Sequence, residues 1–184
     1  MKKNLVLLCL VCLCLAFSSC KKHVDEGFAG DVSYKETNRD TLGVSMTIPD
    51  NWVCESSEFE GIQNRRYTSL LGENDKFAES ISVAAEKADS SKTLEEYAQE
   101  NVDAIGMFYE NFEIIEDVRD EKIGAENGKR FVYSYSMGTY DVVVDQSLVL
   151  IDGKLYIIIC NSQPDSYPEY KEIFNTALKS FKVK

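Results

Sequence analysis

The sequence predicts an α+β domain in which helices cover an antiparallel β-sheet. Three observations carry this. Four apolar-rich runs, "FEIIEDV", "KRFVYSYSM", "YDVVVDQSLVLI" and "KLYIIIC", follow one another between Phe112 and Cys160, and their links include Asn127-Gly128, Gly138-Thr139 and Asp152-Gly153. Asn-Gly and Asp-Gly supply the positive backbone angles of two-residue hairpin turns, so the runs read as a meander. "TLEEYAQENVDAIGMFY" precedes them with apolar residues at helical spacing, and a second amphipathic segment follows them after Pro168; two such helices need a sheet to cover.

Taken in chain order, the domain opens with Val44, Met46 and Ile48 alternating with Ser45 and Thr47, the period-two pattern of a half-buried strand. "PDNW" then turns the chain. Pro49 suits the first corner, Asp50 and Asn51 tolerate the turn's backbone angles, and Trp52 re-enters the core. Further strands are predicted at Tyr67 to Leu71 and Ile81 to Ala85, with "GENDK" as a hydrophilic turn. Thr93 with Glu96 forms a capping box, after which Leu94, Tyr97, Ala98, Val102, Ile105 and Phe108 define one apolar helix face. Pro168 suits a first helical turn, and Tyr170, Ile173, Phe174, Ala177, Leu178 and Phe181 form the buried face of the last helix.

The N-terminus carries an address. Lys2 and Lys3 precede an apolar run from Leu5 to Phe17, about 13 residues, the length of a signal-peptide core and short of the roughly 20 that span a bilayer. Cys9, Cys12 and Cys14 lie inside this run and belong to the discarded piece. Cys20 follows Ser18 and Ser19 directly, and "AFSSC" resembles a bacterial lipobox, with Phe17 where an aliphatic residue is usual. The resemblance implies that the Cys20 thiol is diacylated, that residues 1–19 are removed, and that the new amine is acylated. Plain secretion with cleavage near Ser18 or Ser19 is the alternative. Residues 20–42 read as a lipidated flexible tether, and 43–184 as the folded domain.

Cleavage before Cys20 takes Lys2 and Lys3 and no acidic group from the 20 basic and 31 acidic residues, which leaves 18 against 31 and a net charge of −13. A surface of that sign repels nucleic acid and anionic headgroups, so the bilayer is held through lipid and no nucleic-acid partner is expected.

"VSMTIPDNW", "TLEEYAQENVDAI", "NGKRFVYSYS", "KLYIIIC" and a terminal helix ending "ALKSFK" occur in an order that resembles the PsbP-like family, in particular its bacterial DcrB-type lipoproteins, over about residues 43 to 183. The resemblance implies an α/β/α sandwich. It implies no single activity, because members of that family serve as photosystem subunits, nuclear-import adaptors and envelope lipoproteins.

Catalytic chemistry finds little support. His23, the only histidine, lies in the tether, which excludes a His-dependent triad in the domain. There is no Gly-x-Ser-x-Gly elbow, phosphate loop or dinucleotide fingerprint. Zinc favours Cys and His, and the domain offers only Cys54 and Cys160. "EDVRDE" and "DSYPE" supply carboxylates for calcium without EF-hand spacing. Glu95, Glu96, Glu100 and Asp103 crowd one helix, but close acidic pairs are unavoidable in so acidic a chain. No catalytic residue, metal or cofactor is expected. Phe131, Tyr133 and Tyr135 form an aromatic stripe that is core if a helix covers it and a binding platform if it is open. Cys54 and Cys160 either pair in an oxidising envelope or stay buried free thiols.

These readings converge on a lipid-anchored protein of the bacterial envelope, at the outer membrane facing the periplasm, with exposure at the cell surface as the alternative. Its domain is expected to act as a non-catalytic binding or scaffolding module for another envelope component, protein or small ligand, through acidic residues and loops on the rim of the sheet. A carboxylate-based enzyme or a calcium-dependent binding protein is the alternative.

Overall fold

A computed structural model describes residues 32–37, 42–59, 62–71 and 77–183. Cys20, the signal segment, the first part of the tether and the "GENDK" turn lie outside them. In chain order the elements are β1 (Tyr34–Glu36), β2 (Val44–Ser45), β3 (Thr47–Pro49), β4 (Val53–Phe59), β5 (Ile62–Thr68), β6 (Ser80–Lys87), α1 (Leu94–Phe108), β7 (Glu110–Ile123), β8 (Glu126–Met137), β9 (Tyr140–Ile151), β10 (Lys154–Ser162), α2 (Tyr167–Ser180) and β11 (Lys182–Val183).

Among the described residues, seven strands form one antiparallel sheet in the order β4-β5-β6-β10-β9-β8-β7. Alternation along β10 shows how its two faces are filled. Leu155, Ile157 and Ile159 join a cluster with Tyr97, Ala98 and Ile105 of α1, whereas Tyr156, Ile158 and Cys160 join Ile173, Phe174, Ala177 and Leu178 of α2. The helices therefore lie on opposite faces, one per layer. Phe131, Tyr133 and Tyr135 are buried beneath α1, so the aromatic stripe is core. Trp52 is buried with the α2 cluster, after the turn at Asp50 and Asn51.

Local signals set the ends of α1. Thr93 Oγ1 accepts from the Glu96 amide at 3.2 Å, and Glu96 Oε2 accepts from the Thr93 amide at 2.7 Å, which closes the capping box. The Thr93 backbone and then its hydroxyl hold the Glu96 carboxyl below the usual range. At the C-terminal end of α2, Ser180 Oγ accepts from the Thr47 amide at 2.7 Å and ties the helix to β3.

Several polar side chains tie the sheet to its helical layers. Arg130 donates through Nε to Asp145 Oδ1 at 2.7 Å and through Nη2 to Asp145 Oδ2 at 2.5 Å, and Nη2 also donates to Asn175 Oδ1 of α2 at 2.8 Å. Burial alone would lower the Arg130 pKa, but the hydrogen bond and charge of Asp145 outweigh it and raise the pKa above the ordinary guanidinium range. On the other face, Gln146 donates through Nε2 to Asn101 Oδ1 of α1 at 3.0 Å and accepts from the Tyr133 hydroxyl at 3.0 Å. Lys171 of α2 reaches Glu116 of β7 at 2.8 Å, and this contact holds the Glu116 carboxyl below its usual range.

The structure departs from the sequence reading at four places. Asn127-Gly128 makes no turn: both residues lie in β8, and the β7–β8 connection bends at Gly124, where φ is +60°. Gly128 is needed for space instead, because a Cβ there would lie 2.6 Å from Ile123 Cγ1 and 2.8 Å from the Leu148 carbonyl oxygen. Asp152-Gly153 does form its turn, with φ of +51° and +74°. Strand β4 has no signal in its "VCESSEF", because an exposed edge strand needs no apolar alternation, and β5 begins at Ile62 rather than near Tyr67 because β4 and β6 pair with it on both sides although its Gln63 to Arg66 are polar. Tyr34–Glu36, inside the segment read as tether, pairs with Thr47–Pro49. β7 is longer than expected, because its charged flanks are exposed edge.

Gly124→Ala should destabilise the fold by at least about 2 kcal/mol, since a Cβ at that positive φ would lie 1.9 Å from the Phe181 carbonyl oxygen. Gly138→Ala should cost only about 1 kcal/mol, because its φ is also positive but nothing lies within 4 Å of the added atom. Urea unfolding of the two variants distinguishes close approach from backbone angle, and equal losses would refute the packing role of Gly124. Asp145→Asn should cost about 3 to 5 kcal/mol by stranding the buried Arg130, while Arg130→Met with Asp145→Leu should cost less than that single change. An additive double mutant would show that the two side chains do not act as a pair. Because the Glu116 pKa is depressed, its contribution is present above the ordinary carboxylate range and is lost as pH falls through the lowered value. Glu116→Gln should flatten the acid limb of unfolding free energy against pH by under about 1 kcal/mol, the scale of a partly exposed pair. An acid limb as steep as that of the wild type would remove the pair from the account.

Candidate functional site

Helix α2 does not reach the end of the sheet face that it covers. Tyr167, its first residue, donates its hydroxyl to Asp145 Oδ2 at 3.4 Å, and burial followed by the Asp145 charge raises the Tyr167 pKa above the ordinary phenol range. In the sheet register, Asp145 faces Val132, and the next pair on the same face is Ser134 with Val143, followed by Ser136 with Asp141. These last two rows lie beyond the helix. They form the floor of an open groove of about 430 Å³, walled by Asn111 and Ile115 of β7 and by Pro164 of the β10–α2 connection.

The shape of the groove depends on irregularity in β7. Its register with β8 shifts between Glu110 and Glu113, between Ile114 and Glu116, and between Glu116 and Arg119. Each shift puts one extra residue on β7, which bends the edge and re-aims side chains. Asn111 takes φ of +55°, a left-handed angle that asparagine tolerates. Ile114 packs into the core under α1 and Ile115 enters the groove, 49% exposed.

The polar groups of the groove are linked. Asn111 Nδ2 donates to Ser136 Oγ at 3.0 Å, and Ser136 Oγ donates to Asp141 Oδ1 at 2.7 Å. Glu110 and Glu113 pair in register with Ser136 and Ser134 and are exposed on the same face. No Lys, Arg or His lines the groove. The nearby Lys171 and Arg119 are both engaged by Glu116, at 2.8 and 2.7 Å. The site combines hydroxyl, amide and carboxylate groups with an exposed isoleucine and lacks an imidazole beside Ser136. It is equipped to hold a ligand by hydrogen bonds and charge.

The carboxylates singled out in the sequence are dispersed. Glu96 caps α1, Glu100 pairs with Lys92 at 2.5 Å, Asp103 accepts from Gln99 at 2.8 Å, and Glu95 and Asp120 share Lys129. Among the described residues, no group of three or more His, Cys, Asp or Glu side chains is placed to hold a metal ion.

The two domain thiols are not joined. Cys54, Tyr67, Ile81 and Cys160 occupy one row across β4, β5, β6 and β10, so the cysteines share a face but stand three strand spacings apart. That is roughly 14 Å, twice the reach of a disulfide. Cys160 is a buried free thiol whose pKa burial pushes well up. Cys54 is exposed on the edge strand, where Arg65 Nε donates to its sulfur at 2.9 Å, so the expectation of a buried thiol is corrected there. Cys20 lies outside the described residues. The groove itself had one trace in the sequence, the run of acidic residues in and after "YENFEIIED"; the bulges that shape it leave none.

No family model and no curated protein matches this chain. Solved structures do. The solution structure of the cyanobacterial PsbP of Synechocystis sp. PCC 6803 is 20% identical, with a TM-score of 0.59 over 91% of this chain and 99% of that one. LpqN, described as involved in cell envelope biogenesis of Mycobacterium tuberculosis, is 13% identical, with a TM-score of 0.61 over 84% of this chain and 92% of its own. Mog1 is 13% identical, with a TM-score of 0.57 over 82% and 96%. Likeness at this level of identity concerns the backbone alone: this chain shares the PsbP-like fold with these structures.

Proposed function

We propose that this protein is a lipoprotein of the bacterial envelope, anchored through acylated Cys20, and that its folded domain is a non-catalytic binding module for another envelope component. The observation that carries the reading is the groove beside α2, where Asn111, Ser134, Ser136 and Asp141 offer linked hydrogen-bonding groups beside the exposed Ile115, with no imidazole next to Ser136. The structural likeness to LpqN, whose description places it in envelope biogenesis, supports the compartment. The apolar run and Cys20 support the anchor. Tethering by lipid leaves the domain at the membrane surface, facing the periplasm, where an acidic ectodomain stays soluble.

The anchor is tested in cells grown with labelled palmitate. Cys20→Ala should lose the label and leave the membrane fraction, and persistent labelling of that variant would sink the lipoprotein reading. The binding role is tested by crosslinking in intact membranes followed by capture of the full chain. One or more defined envelope components should be recovered with the wild type and lost when Asp141 and Ser136 are both changed to Ala. Turnover of ester, glycoside, phosphate or peptide substrates that disappears on changing a single Asp or Glu would replace this reading with an enzymatic one.

A further inference from the structure

We propose that the groove between β7, β8, β9 and the start of α2 receives an extended basic segment of a partner protein, with a Lys or Arg side chain against Asp141 and an aliphatic neighbour on Ile115; this rests on the binding-module reading above. Charge complementarity selects the occupant. Asp141 lies on the floor, Glu110 and Glu113 of β7 stand exposed on the same face, opposite Ser136 and Ser134 and just outside the lining, and no basic side chain lines the groove. Lys171 and Arg119, the basic groups next along that face, are already held by Glu116 and cannot fill the role from within the chain. Like charges pressed against this surface raise the cost of docking, so an acidic or anionic-lipid occupant is disfavoured.

Hydrogen-bond direction agrees. Ser136 donates its proton to Asp141 Oδ1 and Asn111 donates to Ser136, so the relay runs toward the carboxylate and leaves Asp141 Oδ2 to accept from an incoming donor. A guanidinium or ammonium brings several donors and no acceptor. Ile115 supplies an apolar contact beside it and Pro164 closes the opposite wall, which suits the aliphatic stem of Lys or Arg. A lone divalent cation is a poorer fit, because calcium takes six to eight oxygen ligands and one carboxylate lies on the floor. The groove is open to solvent, which suits a segment of a partner chain better than a small enclosed ligand.

The experiment uses the full acylated chain in nanodiscs of zwitterionic lipid, so that a basic probe is not drawn to the bilayer. The probes are two fluorescein-labelled peptides, acetyl-Lys-Val-Lys-Val-Lys-amide and its Glu-for-Lys counterpart, followed by fluorescence anisotropy. The basic peptide should bind saturably and the acidic one should not. Each removed charge should weaken binding by about three- to fivefold, so Asp141→Asn with Glu113→Gln should lose about tenfold or more. Glu126→Gln, on the far β7–β8 hairpin, should stay within twofold, and binding should weaken as sodium chloride rises. Asp141→Asn keeps an acceptor for Ser136, and matching melting temperatures confirm that the variants are folded. No saturable binding of the basic peptide, equal binding of the acidic one, or unchanged binding by the double variant would each overturn the proposal. Capture of the same crosslinked component by wild type and by Asp141→Asn/Glu113→Gln would overturn the groove assignment while leaving the binding-module reading in place.

Discussion

Two neighbouring polar residues at the centre of the sheet, Asp145 and Gln146, position both helices of this domain. Both are fully buried on β9, and because successive strand residues face opposite ways, each serves a different layer. Asp145 takes two hydrogen bonds from Arg130, which in turn reaches Asn175 of α2, and it accepts from Tyr167 as well. Gln146 reaches Asn101 of α1 and Tyr133 of β8. Apolar burial supplies most of the driving force, roughly 1.5 to 3 kcal/mol for each large side chain, but it is non-directional. The buried polar pairs are directional, and sliding either helix by one turn would leave a charge or an amide unpaired inside the protein.

The groove follows from that constraint. With Tyr167 held over Asp145, α2 starts too late along β8 and β9 to cover Ser134, Ser136 and Asp141. The β10–α2 connection is also held, because Ser166 donates to the buried Glu79 at 2.6 Å. Concavity here is thus a consequence of where the helix is fastened. The stability of the sandwich and the exposure of its candidate site are set by the same contact.

The edge strands show a second balance. A strand as long as β7 at the border of a sheet would invite pairing with another chain, and its three register shifts and many charges oppose that. The same irregularities turn Ile115 outward and give Asn111 its left-handed angle. A defence against unwanted strand pairing thereby builds one wall of the groove. At the other border, β4 relies on the charges of Glu55 and Glu58.

The sequence by itself determined where α1 is capped, that an antiparallel sheet carries covering helices, and the buried faces of α1 and α2, except that Phe108 of α1 is exposed. Alternation, helical spacing and capping are written in residues within one or two turns of each other, so they survive without knowledge of the fold. Tertiary structure alone decided the rest. The Gly124 bend replaced the Asn127-Gly128 turn because the hairpin must pass against the Phe181 carbonyl. Polar β4 and the start of β5 became strands because their neighbours supply the pairing that their own composition does not announce. Cys54 and Cys160 were kept apart by two intervening strands, and Asn111, Ser136 and Asp141 were brought together across a bulged register. Each of these outcomes depends on which strand lies beside which and on one-residue slips between them. Such slips move side chains from face to face without changing local composition, so only the assembled sheet decides them.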